Sequence, residues 1–348
     1  AATDRRHWLI DGYLPWKRCQ TTAFIYSGLR WAKGRLAYPL NPLLAQHQMP
    51  ITPTKIDWTI LGAGAIGGLW AWALTEAGLN CQLILSNSDA ITRYEGNHGL
   101  RIQDGNKTHI LRPPAITAAE LNQPMGKLLV ATKAQQTKAA LAPLRPYLDK
   151  NSHIVFMQNG MGIIEQQHEI VGGAALYAGI TTDGAHLSAP YCIKRAGQGI
   201  TYLGGYHNNG STLSKKHLPQ VLSVAAVDDI QQRMLSKLCI SAVINPLTAL
   251  HNINNGDVIG LAELQPLCDE IATIVATQQY APSAAMIYQS VTDVAATTAQ
   301  NISSMLQDVR AGRETEIDFI NGYLVRLAAQ HNIACPLNTA LVGRRQQH

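Results

Sequence analysis

Lys237, Ser241 and Asn245 lie four residues apart in the segment RMLSKLCISAVINPLTAL. Residues at this spacing share one face of a helix, so the segment is predicted to carry a polar face among apolar neighbours. A lysine ammonium on such a face can polarise a carbonyl group and donate a proton as charge develops on its oxygen. Glu316, at the start of another segment with apolar residues at helical spacing, offers the anion that keeps a buried ammonium charged.

A glycine-rich turn supplies the second chemical feature. The turn, Gly62 to Gly67, lies between a predicted strand at 58–61 and a predicted helix at about 65–77. Gly62 permits the tight turn, Gly64 lets the backbone approach a pyrophosphate, and Gly67 allows the helix to pack closely on the strand. A second strand at 81–85 completes the opening of a βαβ unit, which predicts dinucleotide binding. Cation, anion and dinucleotide together suggest carbonyl reduction.

A membrane-spanning helix is the alternative interpretation of Trp58 to Thr75, which runs eighteen residues without a charge. The crowded glycines favour a buried strand that turns tightly into a helix instead.

The choice of cofactor is read at the end of the second strand, where an acid would bind the ribose of NAD. Here the residues are Ser86-Asn87-Ser88, with no acid before Asp89. Ser86, Asn87 and the later Arg93 can donate hydrogen bonds, so the sequence favours NADP over NAD. An ordinary turn has the same composition, and that alternative stays open.

Two further strands are predicted at 127–132 and 152–157, each ending at polar residues. In an open α/β sheet, ligands lie beyond the carboxyl ends of the strands, so Lys133, Gln136 and Asn159 are predicted at the cofactor crevice. The alternatives are a solvated lysine at a helix start and a turn at Asn159.

The composition bounds the class of protein. At 348 residues the chain is long enough for two domains. Residues 1–48 hold seven basic and two acidic side chains, which accounts for the whole net charge of +5. In the other 300 residues the basic and acidic side chains are equal in number. A nucleic-acid groove on the main body is therefore not expected. The six cysteines have no metal-ligand spacing, which fits reduced thiols in a cytoplasmic protein and no metal site.

Three segments are predicted from these patterns. Residues 1–50 form an N-terminal extension, either upstream translated sequence or a poorly ordered segment, and a signal peptide is disfavoured because no uninterrupted apolar region precedes a cleavage site. Residues 51–227 form a dinucleotide-binding domain, and residues 228–348 form a helical substrate and catalytic domain.

Five segments, in this order and at these separations, resemble ketopantoate reductase (2-dehydropantoate 2-reductase) over about residues 56–340. They are ILGAGAIG, ATKAQQT, QNGMG, KLCISAVINPLTAL and SSMLQDVRAGRETEIDFING. The resemblance implies a Rossmann domain followed by an all-helical domain, in the arrangement of 6-phosphogluconate dehydrogenase. It also implies NADPH-dependent reduction of ketopantoate to pantoate, a step toward coenzyme A, in a cleft between the domains.

The resemblance assigns a role to each matching residue. The catalytic residues would be Lys237 and Glu316. The substrate-binding residues would be Asn159, Ser241, Asn245 and Ser304. The cofactor-binding residues would be Gly62, Ala63, Gly64, Ala65, Ile66, Gly67, Ser86, Lys133, Gln136, Asn159 and Glu316.

Three positions depart from the family. Ser241 stands where better-known members carry Asn, Asp183 stands in TTDGA where many carry TTHAA, and Ser86 stands where an Arg usually meets the 2′-phosphate. Ser241 motivates an alternative, a reductase for another branched 2-keto acid. An alternative from a different class is a non-catalytic NADPH-sensing module. The expected partner is a small 2-keto acid, with no nucleic acid and no membrane, and the chain is expected to be a monomer or homodimer.

Ser304 and Glu316 are twelve residues apart, which along one helix would separate them by about 18 Å. We expect a break near Gly312 that lets the two side chains converge, with Ser304 donating to the substrate carboxylate. A plain helix cap at Ser303-Ser304 is the alternative.

Overall fold

The computed structural model describes residues 55–206 and 218–344, so the predicted extension at 1–50 lies outside the described residues. The strands are β1 (Trp58–Leu61), β2 (Cys81–Leu85), β3 (Leu100–Asp104), β4 (Lys107–Leu111), β5 (Ala115–Thr117), β6 (Lys127–Val130), β7 (His153–Phe156), β8 (Ala175–Thr181), β9 (Gly184–Ala189), β10 (Cys192–Gly197), β11 (Ile200–Gly205) and β12 (Ser223–Ala226). The helices are α1 (Ala65–Glu76), α2 (Ser88–Gly96), α3 (Ala134–Leu141), α4 (Ile230–His251), α5 (Leu264–Val275), α6 (Ala284–Thr297), α7 (Ser304–Arg310), α8 (Asn321–Gln330) and α9 (Pro336–Gly343).

The main sheet has eight strands in the order β12-β11-β8-β7-β6-β1-β2-β5. The six strands from β5 to β8 are parallel, whereas β11 pairs antiparallel with β8. The strand order reverses between β1 and β6, and an α/β sheet binds its ligands in the crevice outside such a point. The expected Rossmann-type fold, with a helical C-terminal part, is confirmed.

A second sheet, in the order β4-β3-β10-β9, packs on α1. The close approach depends on Gly68, where an added Cβ would overlap the side chain of Ile193 on β10. Trp58 and Trp70 are fully buried between the sheets. The uncharged stretch from Trp58 to Thr75 is therefore a core strand, a turn and a helix.

Helices α4 to α9 form a core of their own, in which α4 contacts α5, α6 and α7. Its buried members include Leu238, Val243 and Leu247 of α4 together with Ile271, Val291 and Leu324. Helix α4 is also the one helix within residues 55–206 and 218–344 that is long and apolar enough to cross a membrane, by length and composition. Half of that stretch is buried inside the protein, as in any central helix of a packed bundle.

Candidate active site

The glycine turn has the backbone geometry that the sequence predicts. Gly62 has a φ of 98°, a conformation that side chains rarely adopt. A Cβ at Gly67 would overlap the carbonyl oxygen of Gly62 and lie 3.2 Å from the Cβ of Ala131. Both positions therefore require glycine for the turn itself to form.

The turn also leaves room for a phosphate. A Cβ at Gly64 would meet only the carbonyl oxygen of Ala131, at 3.9 Å. Helix α1 begins at Ala65 without a side-chain cap and without an acid in its first turn, so its first N–H groups are free to face an anion. The residues from Gly62 to Gly67 thus fit the pyrophosphate of a dinucleotide.

The residues that follow β2 are exposed, from Ser86 to Asp89. Ser86 is exposed, and Asn87 caps α2 by accepting a hydrogen bond from the backbone of Ala90 at 2.9 Å. Asn87 is therefore the N-cap of α2, and its contact with a cofactor stays a prediction. Within the described residues no carboxylate occupies this strand end before Asp89.

A polar seam joins the start of α3 to the segment that precedes α8. Lys133 Nζ lies 2.8 Å from Asp308 Oδ2, and Arg313 Nε lies 3.0 Å from the other oxygen of Asp308. Gln135 Nε2 donates to the Glu314 carbonyl at 3.0 Å. Gln136 is exposed on the first turn of α3. Lys133 thus has a protein partner, and cofactor contacts of Lys133 and Gln136 stay predictions.

Glu316 is buried at the centre of this seam. Its Oε1 accepts from the backbone N–H of Ala134, the first residue of α3, at 3.2 Å. Its Oε2 accepts from Asn159 Nδ2 at 3.2 Å. The carboxylate of Glu316 therefore lies at the N-terminus of α3, where the partial positive charge of a helix end attracts an anion. Glu316 precedes a short 3-10 helix, Ile317–Phe319, which leads into α8, rather than the single helix expected from the sequence.

Lys237 lies in the cleft and does not point into bulk water. Its Nζ donates to the carbonyl of Thr181, at the end of β8, over 2.9 Å. Lys237, Ser241 and Asn159 line one cavity together with Gln158, Gly160, Gly179, Ile180, Met234 and Leu238. Burial lowers the pKa of Lys237 to about 8, and the charge of Glu316 opposes that shift. A pKa near neutrality suits an acid that must donate its proton during turnover.

The other predicted substrate residues differ in placement. Ser241 lies one turn from Lys237 and lines the same cavity. Asn245 is partly buried a further turn along α4, and its carbonyl accepts from Thr248 Oγ1 at 2.9 Å.

Ser304 is exposed at the start of α7, whereas the buried cap is Ser303, which accepts from Leu306 N at 3.1 Å. The helix break at Gly312 is present, since α7 ends at Arg310 and Gly312 has a φ of 61°. Among the hydrogen bonds of the described residues, none joins the Ser304 side chain to Glu316 or Lys237. The break near Gly312 is therefore present, while the described residues show no hydrogen bond between the Ser304 side chain and either residue.

Thr181 and Gln158 are site residues that the sequence reasoning missed. Thr181 contributes a backbone carbonyl, which leaves no signal in the residue type. Gln158 directly precedes Asn159, and its position in QNGMG was the available signal. Its Nε2 donates to Val130 O at 3.0 Å, while its buried Oε1 has no hydrogen-bond partner among the described residues.

The fold and the glycine turn together define a class of protein, an oxidoreductase that binds a dinucleotide cofactor. Within residues 55–206 and 218–344, no group of three His, Cys, Asp or Glu side chains is placed to hold a metal ion. The family model described as ketopantoate reductase PanE/ApbA matches residues 58–208, and the model for its C-terminal part matches residues 229–347. The chain belongs to the ketopantoate reductase family.

Individual relatives support the assignment. The 2-dehydropantoate 2-reductase of Vibrio cholerae is 33% identical over 289 residues, covering 81% of this chain and 94% of the relative. That of Shigella flexneri is 35% identical over 297 residues, covering 81% and 92%. Among solved structures, a D-mandelate dehydrogenase with NADH and anilino(oxo)acetate has a TM-score of 0.76 at 22% identity, covering 83% of this chain and 98% of that one. The last similarity concerns the fold alone.

Proposed function

We propose that this protein reduces 2-dehydropantoate (ketopantoate) to pantoate with a nicotinamide cofactor, as the names of its relatives describe for those enzymes. The observation that carries the proposal is the position of Lys237 in a cleft shared with Asn159 and opposite a buried carboxylate, Glu316. That combination is the proton donor and charge balance that reduction of a keto group requires.

Different residues have different roles in the proposed reaction. When bound, the reduced nicotinamide supplies the hydride. The Lys237 ammonium polarises the keto oxygen and donates a proton to it as negative charge develops, so it stabilises the transition state more than the substrate. Glu316 supports the charged form of Lys237 and holds Asn159 at the end of β7. We assign catalytic roles to Lys237 and Glu316 and substrate contacts to Asn159, Ser241, Asn245 and Ser304.

We further propose that NADPH is preferred over NADH. Ser86 is exposed at the end of β2, where no carboxylate opposes a 2′-phosphate. The residues from Gly62 to Gly67 would hold the pyrophosphate, with Ser86, Lys133 and Gln136 along the rest of the cofactor.

The proposed reaction also bears on the domain division, the partners and the cellular location. We propose a division at 227/228 into a nucleotide domain and a helical domain, so that substrate binds where the two meet. A small 2-keto acid is the expected partner, and neither nucleic acid nor membrane is part of the proposal. We place the protein in the cytoplasm as a monomer or homodimer.

The direct test is oxidation of NADPH by the purified protein in the presence of ketopantoate, with NADH in a parallel assay. We expect rapid turnover with NADPH and slower turnover with NADH. Absence of turnover with either cofactor would contradict the proposed reaction.

A second candidate substrate, another branched 2-keto acid, is favoured by one observation. Ser241 lines the Lys237 cavity with a short hydroxyl side chain, where the resemblance to the family implies the longer Asn. Comparing kcat/KM for ketopantoate and for its analogue without the 4-hydroxyl separates the two candidates. A preference for the analogue would favour the second.

A further inference from the structure

A buried ion pair lies next to the Thr181 carbonyl that holds Lys237. Arg195 Nη2 donates to Asp183 Oδ1 at 2.7 Å, and the two side chains are 5% and 1% exposed. Asp183 lies in the turn between β8 and β9, and Arg195 lies on β10.

Asp183 fixes the end of β8. Thr181 Oγ1 donates to Asp183 Oδ2 at 3.1 Å, and the Asp183 backbone N–H donates back to Thr181 Oγ1 at 3.0 Å. Gly199 N donates to Asp183 Oδ1 at 3.1 Å. The residue whose carbonyl accepts from Lys237 is thus bound at its side chain by this carboxylate.

Arg195 connects this turn to the rest of the nucleotide-binding part. Its guanidinium carbon lies 6.0 Å from the ring centre of Trp72 on α1, and its Nη1 lies 3.8 Å from Asp104 Oδ2 on β3. A buried ion pair adds little net stability over apolar side chains, because desolvation offsets its attraction. What such a pair does fix is geometry, through short and directional hydrogen bonds.

We propose that Asp183 and Arg195 are a positioning pair, which holds the Thr181 carbonyl in place and thereby aims the Lys237 ammonium at the substrate keto oxygen. The inference rests on the proposed reduction. The Thr181 carbonyl is the one hydrogen-bond partner of Lys237 Nζ among the described residues. If that carbonyl moves, the ammonium gains rotational freedom, and the fraction of enzyme in the reactive geometry falls.

The test compares kcat and NADPH affinity in Asp183→Asn, which keeps the side-chain shape and removes the charge. We expect kcat to fall about 30-fold, since displacement of a catalytic group by about 1 Å costs up to about 100-fold. The Kd for NADPH should stay within about twofold, because the pair does not touch the glycine turn. The matched control is Asp104→Asn, which removes the other carboxylate near the same guanidinium and should leave kcat unchanged.

A double-mutant cycle with Lys237→Ala separates positioning from a general structural role. If Asp183 acts through Lys237, Asp183→Asn lowers kcat no further in the Lys237→Ala background. Additive losses, or a kcat unchanged in Asp183→Asn, would overturn the proposal. Should Asp183→Asn fail to fold, Thr181→Val removes the same tie, together with the hydrogen bond that Thr201 Oγ1 donates to Thr181 Oγ1 at 3.0 Å. This variant is expected to lower kcat, and an unchanged kcat there counts equally against the pair. Lack of turnover in the wild-type protein would instead defeat the proposed function.

Discussion

The glycine turn and the region around Lys237 and Glu316 use different parts of the chain, backbone in the first and side chains in the second. On the nucleotide side, the turn from Gly62 to Gly67 works through backbone: a positive φ, a close approach and a free helix end. On the opposite side, the chemistry depends on side chains from distant segments. Lys237 reaches Thr181, and Glu316 reaches Asn159 and Ala134, across 56 to 182 residues of chain.

The difference determines which kind of substitution disrupts each side. A backbone site is disrupted by adding an atom, because the added Cβ has no room. A side-chain site is disrupted by removing a charge, because the remaining buried partner is left uncompensated. Substitutions on the two sides should therefore separate cofactor affinity from turnover.

The largest effect is expected on the side-chain side, from Lys237→Ala. Loss of the proposed proton donor should lower kcat about a thousandfold, within the range that general acid catalysis contributes. NADPH affinity, measured by fluorescence titration, should change little because the glycine turn is untouched. Turnover close to wild type would contradict the role of Lys237.

The matching change on the backbone side is Gly67→Ala. Overlap of the new Cβ with the Gly62 carbonyl should lower NADPH affinity about 100-fold and stability by about 2 kcal/mol, as overpacking does.

Two further glycines sharpen the same measurement. A Cβ added by Gly64→Ala has space in the free protein, so the free energy of unfolding should be retained. The affinity for NADPH should fall, because the pyrophosphate would approach the backbone at this position. The control is Gly96→Ala, because Gly96 lies in a helix and nothing is near a Cβ added there. This variant should change neither the binding free energy of NADPH nor the free energy of unfolding by more than about 1 kcal/mol. Equal NADPH affinity in all three variants would show that the turn does not hold the cofactor.

Much of this contrast could be predicted from the sequence. The strands at 58–61 and 81–85 and the glycine turn follow from local composition, and the structure has them at those residues. The polar face of Lys237, Ser241 and Asn245 follows from helical periodicity, and all three lie on α4.

What could not be predicted depends on contacts distant in sequence. Residue types do not reveal that the Thr181 carbonyl accepts from Lys237, or that Asp308 pairs with Lys133. Ser303, rather than the exposed Ser304, faces α4, where its Oγ lies 2.7 Å from Thr248 Oγ1. Local pattern could not choose between the two serines.

An intermediate effect is expected in the pH dependence. In the proposed reaction the reactive form of Lys237 is the ammonium, and burial lowers the pKa of this group to about 8. The kcat/KM for reduction should therefore fall about tenfold per pH unit above that value. Glu316→Gln removes the charge that raises this pKa, so the decline should begin at lower pH. A profile that stays flat to pH 10 would contradict the burial of the ammonium.

The smallest effect is expected at the open end of β2. Ser86→Arg adds a cation where a 2′-phosphate would lie, and should strengthen NADPH binding by roughly 1 kcal/mol, about fivefold, without affecting NADH. Ser86→Asp should reverse the preference. Parallel titrations with the two cofactors measure both, and identical shifts for NADPH and NADH would place the 2′-phosphate elsewhere.

The most direct test of the whole account is a crystal structure of the protein with NADP⁺ and pantoate. We expect Lys237 Nζ about 3 Å from the C2 hydroxyl oxygen of pantoate, with the nicotinamide on the opposite side of that carbon. A complex in which another group occupies that position, with Lys237 turned away from the ligand, would contradict the assignment of the proton donor.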